Sequence, residues 1–77
     1  MNDSFGWLDV DEIGERLFLA FPDRDPFSVR FTELRRLVES LPGFEPDPDH
    51  PVNEKILETI QARWHEARED LADPDED

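Results

Sequence analysis

The sequence predicts an all-α fold: a small three-helix domain over residues 5–71, followed by an acidic tail over residues 72–77. Three observations predict it. Apolar residues recur at helical spacing in three separate stretches. Each stretch opens near an Asp, Thr or Asn that can cap a helix. The proline-rich segments PDRDP and GFEPDPDHPV separate them. A chain of 77 residues is one domain at most and buries only about 60% of the surface its unfolded form exposes.

The first helix is expected to start near Asp9. In the DVDE of residues 9–12, Asp9 can accept from the backbone N–H three residues on while Glu12 reaches back, a variant of the capping box. Trp7 or Leu8 is placed to staple that turn. Ile13, Leu17, Ala20 and Phe21 form one apolar stripe, which Phe18 widens. Pro22 ends the helix, because the residue before a proline is pushed away from helical backbone angles. Asp25 then caps a single helical turn, PFSV, opened by Pro26. Arg30 and Phe31 run extended into Thr32, the cap of a second helix whose buried stripe is Leu34, Leu37, Val38 and Leu41. Pro42 and Gly43 stop it.

Residues 43–52 form a loop pinned by Phe44. Asn53 caps the third helix, Val52 is placed to staple to Leu57, and Leu57, Ile60, Trp64, Ala67 and Leu71 make the longest stripe. The final DPDED is acidic and apolar-free and reads as disordered. Stripes this narrow do not enclose a core by themselves. Phe21, Phe27, Val29 and Phe31 are therefore expected to plug the gap between the first two helices, with the neighbouring prolines lowering the entropy cost of holding them.

Charge bounds the function. The chain has 21 Asp and Glu against 8 Lys and Arg, a formal net charge of −13. Such a field repels phosphate backbones and disfavours nucleic acid. It attracts cations and basic protein surfaces, and it speeds encounter with them. Cysteine is absent, which excludes disulfides, thiolate metal ligands, ligation of an iron–sulfur cluster by this chain, and thiol nucleophiles. No signal-peptide pattern opens the chain and no apolar run approaches the ~18 residues of a membrane span, so a soluble, cytoplasmic protein is the expectation. There is no Gly-rich phosphate loop and no His–carboxylate–Ser set, so no enzyme is expected.

The candidate site residues are acids. Asp9, Glu12 and Glu15 line the outer side of the first helix. Asp11 and Glu15 are i, i+4 neighbours, close enough to share one cation. The helix N-terminus opposes a cation, however, and suits Asp9 and Glu12 as cap and dipole partners. Asp23 and Asp25 lie on an irregular loop without that opposing field. They could form a small all-oxygen site for a hard cation, or serve only as cap and turn formers. His50 and His65 are isolated from each other and read as exposed. Metal binding is expected to be weak and borne on the surface. Among the basic residues, Arg30 would most simply pair with Asp23 or Asp25, and Arg30, Arg35 and Arg36 form a small local cluster outweighed by the acidic field.

Taken in order, DEIGERLFLAFPDRDPFSVRFTEL, FEPDP and NEKILETIQARW resemble the small acidic IscX (YfhJ) family of bacterial iron–sulfur cluster assembly, from Trp7 to about Glu66. The resemblance implies a compact helical domain similar to a modified winged helix. It implies a monomeric acidic adaptor that binds the cysteine desulfurase supplying sulfur, at a basic surface also used by frataxin and ferredoxin. It implies weak binding of ferrous or ferric iron through surface carboxylates, modulation of cluster assembly, and no catalysis. Carried over by position, the partner-binding face is Glu12, Glu15, Asp23, Asp25, Glu33, Asp47 and Glu54, and the iron-binding carboxylates are Asp9, Glu12, Asp23 and Asp25. Arg30 falls in the V-R-F-T pattern and takes a structural role. The sequence departs from the family in a longer, proline-rich loop before Asn53, in Arg24 between the two loop aspartates, and in the acidic extension after Leu71. The alternatives are an iron donor for cluster assembly, an acidic nucleic-acid mimic that binds a basic protein, and a small winged-helix DNA binder.

Overall fold

Helix caps and turns fix where each element begins. In the computed structural model, which describes residues 4–46, 48–49 and 51–72 (71 and 72 by backbone only), α1 spans Val10–Ala20, α2 spans Phe31–Glu39 and α3 spans Glu54–Ala72. A 3-10 turn, Pro26–Ser28, lies between α1 and α2. The all-α class is as expected. Among the described residues the strand-like pairing is one parallel bridge, Phe5 to Phe44.

α1 starts where expected, with Asp9 in the cap position and its carbonyl accepting from the Ile13 N–H at 2.9 Å, but the Asp9 side chain does not cap the helix. The Asp9 carboxylate accepts from the Gly6 N–H at 2.8 Å, upstream of the helix, and the Asp9 N–H donates to the Gly6 carbonyl at 3.0 Å. The capping box does not form, because Asp9 holds the incoming chain and Glu12 takes Arg16 as its partner. Trp7 is the residue turned inward, at 3% exposure, and Leu8 is exposed. On α1, Ile13 and Leu17 are fully buried and Phe18 and Phe21 are partly so, whereas Ala20 faces solvent. Gly14 is buried beside them, which the stripe did not anticipate.

The 3-10 turn forms as predicted, with the Asp25 carboxylate accepting from the Phe27 N–H at 3.1 Å. Its packing differs from the expectation. Pro26 and Val29 are buried, while Phe27 is 59% exposed. With about three residues per turn, positions i and i+3 eclipse, so Pro26 and Val29 share the inward side and Phe27 is turned outward. The turn packs on α3 as well: the Gln61 side-chain amide donates to the Pro26 and Val29 carbonyls, each at 3.1 Å. The plug is therefore Pro26 and Val29, supported by partly buried Phe21 and Phe31.

α2 begins at Phe31, so Thr32 sits inside the first turn and does not cap it. The extended Arg30 takes the cap position, and its carbonyl accepts from the Leu34 N–H at 2.7 Å. Leu34, Val38 and Leu41 are buried as predicted, with Leu37 partly so. After Ser40, the chain turns through Gly43 at φ 87°, a left-handed conformation that glycine adopts without steric cost. Phe44 then docks on the N-terminal segment, its ring 5.7 Å from Phe5 and 4.8 Å from Trp7, both edge-on.

α3 follows the sequence reading closely. Asn53 accepts from the Ile56 N–H at 2.9 Å, and Leu57, Ile60 and Trp64 are buried with Ala67 half-buried. The helix extends to Ala72, one residue into the expected tail. The rest of that tail, Asp47 and His50 lie outside the described residues. The core sits chiefly between α1 and α3. At Gly14 the two helices come so close that an added Cβ would lie 2.7 Å from the Arg63 carbonyl carbon and 2.8 Å from both the Arg63 Cβ and the Trp64 nitrogen.

Candidate partner-binding surface

The close approach at Gly14 brings acids from two helices to one place. Asp11, Glu12 and Glu15 of α1 and Glu66, Ala67 and Asp70 of α3 line a groove of about 260 Å³, with Arg63 among them. On α3, positions 63, 66, 67 and 70 recur at i, i+3, i+4 and i+7, so they share one flank of the helix beside its buried stripe. Arg63 bridges the seam. Its Nε donates to Asp11 Oδ1 at 2.8 Å and its Nη1 to Glu66 Oε2 at 3.1 Å. Glu12 pairs with Arg16 on α1. Exposed pairs of this kind contribute about 0.2–1 kcal/mol each, so their main effect is to arrange charge. Among the described residues, Glu15 and Asp70 enter no ion pair, which leaves their carboxylates available to a basic partner.

The other predicted residues lie elsewhere. Asp9 precedes α1, is bound to Gly6, and lines a separate hollow of about 400 Å³ with the segment from Ser4 to Leu8 and Glu45. Asp23 and Asp25 are exposed on the loop, and Asp25 is the cap of the 3-10 turn. Between them Arg24 reaches Glu33 Oε2 at 2.7 Å and ties the loop to α2. That contact replaces the expected pairing of Arg30, which joins neither aspartate among the described residues. Glu54 opens α3, about 18 Å along the helix from Glu66 at about 1.5 Å per residue. His65 is half-buried rather than exposed, with Nε2 3.3 Å from Glu69 and its ring against Phe27.

The four carboxylates carried over for iron are therefore not brought together. No group of three or more His, Cys, Asp or Glu side chains is placed to hold a metal ion among the described residues. Asp9 and Asp25 accept from backbone N–H groups and Glu12 holds a guanidinium. The Asp11 and Glu15 pair does not stand open to a cation either, since Arg63 occupies Asp11. This donor set fits a loosely attracted hard cation and does not fit a closed site.

The sequence pattern of the iron–sulphur cluster assembly family matches residues 5–69. The chain belongs to this family. Its match takes in every residue of the groove except Asp70. An uncharacterized Pseudomonas aeruginosa (strain PAO1) protein, PA3808, is 47% identical over 66 residues, which cover 86% of this chain and 98% of that one. Membership of the IscX family gives the chain a role in iron–sulphur cluster assembly, alongside the assembly machinery. No helix among the described residues of this IscX-family chain is long and apolar enough to cross a membrane. Sequence reasoning missed Glu66, Asp70 and Arg63 as parts of the groove. The signal was Gly14, a glycine in the middle of a helical stripe, which marks a close approach by another element.

Proposed function

We propose that this protein is an acidic adaptor of iron–sulphur cluster assembly that docks on a basic surface of the cysteine desulfurase. The observation that carries this reading is the α1/α3 groove, which among the described residues gathers five carboxylates around one arginine in a chain of net charge −13. A preformed acidic face of this kind meets a basic surface by electrostatic steering, which raises the association rate and makes it sensitive to salt. Asp23 and Asp25, exposed on the loop away from the groove, add to the same negative field. Frataxin and ferredoxin would compete with it wherever they use the same basic surface. The protein acts as a monomer, without catalysis and without nucleic acid. Iron is held weakly by surface carboxylates as a counter-charge, because several of these acids are already matched with arginines. That argues for an adaptor rather than an iron donor.

The test is a calorimetric and stopped-flow titration of the desulfurase with the wild-type chain and with the Glu15→Lys/Asp70→Lys variant. Neither residue is in an ion pair among the described residues, so the fold should persist. We expect the variant to associate about tenfold more slowly at low salt. An unchanged rate and affinity would remove the groove from the interface. Failure of the wild-type chain to associate even at low salt would overturn the adaptor reading itself.

A further inference from the structure

We infer that Phe27 is an aromatic anchor, inserted on docking into an apolar pocket ringed by Lys and Arg on the partner protein; this rests on the adaptor reading and adds a second, uncharged contact to it. Among the described residues, Phe27 is one of three large apolar side chains left exposed, with Leu8 and Leu19, and it is the aromatic one. The core does not need it, since Pro26 and Val29 fill the inward side of its turn. Its backbone is nevertheless held. The Asp25 carboxylate accepts its N–H at 3.1 Å, and the Gln61 amide clamps the carbonyls of Pro26 and Val29 on either side of it, both at 3.1 Å. The His65 ring supports one side, with centroids 5.1 Å apart and planes tilted by 48°. An exposed aromatic ring on a fixed backbone loses little freedom on binding, and aromatic anchors of this type dominate interface energies.

The surroundings name the occupant. Asp23 and Asp25 precede the ring in the chain, and Glu69 lies 3.3 Å from Nε2 of the His65 that touches it. An apolar centre with an acidic rim is complementary to an apolar pocket with a basic rim. The net charge of −13 opposes a second copy of this chain and an anionic membrane surface alike. At about 3.6 residues per turn, His65 and Glu69 lie about a third of a turn around α3 from the groove residues 63, 66, 67 and 70. A concave partner surface that straddles the exposed ridge of α3 would reach both. The two contacts then act differently: the groove sets the association rate and its salt dependence, and the ring sets the dissociation rate.

The experiment measures binding of the full-length wild-type chain, Phe27→Ala and Phe27→Leu to the cysteine desulfurase across a salt series, with thermal midpoints in parallel. We expect Phe27→Ala to dissociate at least tenfold faster, with an unchanged midpoint and an unchanged dependence of association on salt, and Phe27→Leu to recover much of the loss. If the wild-type chain binds and Phe27→Ala binds within twofold of it, the anchor is wrong and the adaptor reading stands. If the wild-type chain does not bind at low salt, both fall. A lowered midpoint for Phe27→Ala would make the residue a packing element and overturn the inference. So would a dimer of the wild-type chain in sedimentation that the substitution abolishes.

Discussion

Replacing Gly14 by alanine sets two effects against each other. Alanine is the better helix former by about 1 kcal/mol, so an exposed site would gain stability. Gly14 is not exposed: the new methyl would meet Arg63 and Trp64 at 2.7–2.8 Å. Two of the three nearest atoms are main chain and the third is a Cβ, so no side chain can swing away. Ordinary carbon contacts begin near 3.5 Å, so α1 and α3 must separate by something under 1 Å along the contact. That separation opens packing around Ile13, Leu17 and Trp64, all fully buried. Overpacking costs about 1–3 kcal/mol, and a contact this rigid belongs at the upper end. The net loss is then about 2 kcal/mol, a fall of roughly 10 °C or more in thermal midpoint for a domain of this size. Thermal unfolding followed by far-ultraviolet circular dichroism measures it. A midpoint equal to or above wild type would refute the close helix contact, and with it the geometry that brings the two sets of acids together.

Three further outcomes follow from local contacts. Asn53→Ala removes the cap of α3 and should cost about 1 kcal/mol in chemical denaturation, whereas Asn53→Asp, which keeps an acceptor for the Ile56 N–H, should not. Gln61→Ala frees two loop carbonyls and should cost about 1–3 kcal/mol, with amide hydrogen exchange rising first at Phe27 and Ser28 rather than in α1. Sodium chloride raised from low to moderate concentration should raise the thermal midpoint, because screening relieves the self-repulsion of 21 acids against 8 bases, and a falling midpoint would contradict this.

What could be read from the sequence depended on how local its cause is. α3 was legible almost in full, since Asn53 and the Ile56 N–H are three residues apart and the stripe through Trp64 repeats over several turns. The periodicity of α1 and the cap position of Asp9 were equally plain, but the partner of the Asp9 side chain was not. Asp9 had two backbone N–H groups within reach, and the turn at Gly6 decided for the upstream one. Phe27 misled because composition favours burying an aromatic ring, while a turn of three residues buries its neighbours at i−1 and i+2 instead. Phe5 was passed over because its pairing with Phe44 is a single bridge, too short to leave a periodic signal. The acids of α1 were legible as a set. Their convergence with Glu66 and Asp70 was not, since it depends on which helix packs against Gly14, a long-range fact that no local pattern encodes.

Arg63 gives that convergence a cost that can be separated from its use. It neutralises part of the groove while joining α1 to α3 through Asp11, yet Asp11 is 87% exposed and Arg63 40%. Exposed pairs are worth about 0.2–1 kcal/mol each, so Arg63→Gln, which keeps the stem beside Gly14, should lower the midpoint by only a few degrees. Among the described residues, the same change removes the one positive charge from a groove lined by five carboxylates. If steering by the groove governs docking, this variant associates faster than wild type with a basic partner at low salt, and the difference vanishes as salt rises. Slower association would mean that the guanidinium itself meets the partner, and the groove would then act through that arginine rather than through its net field.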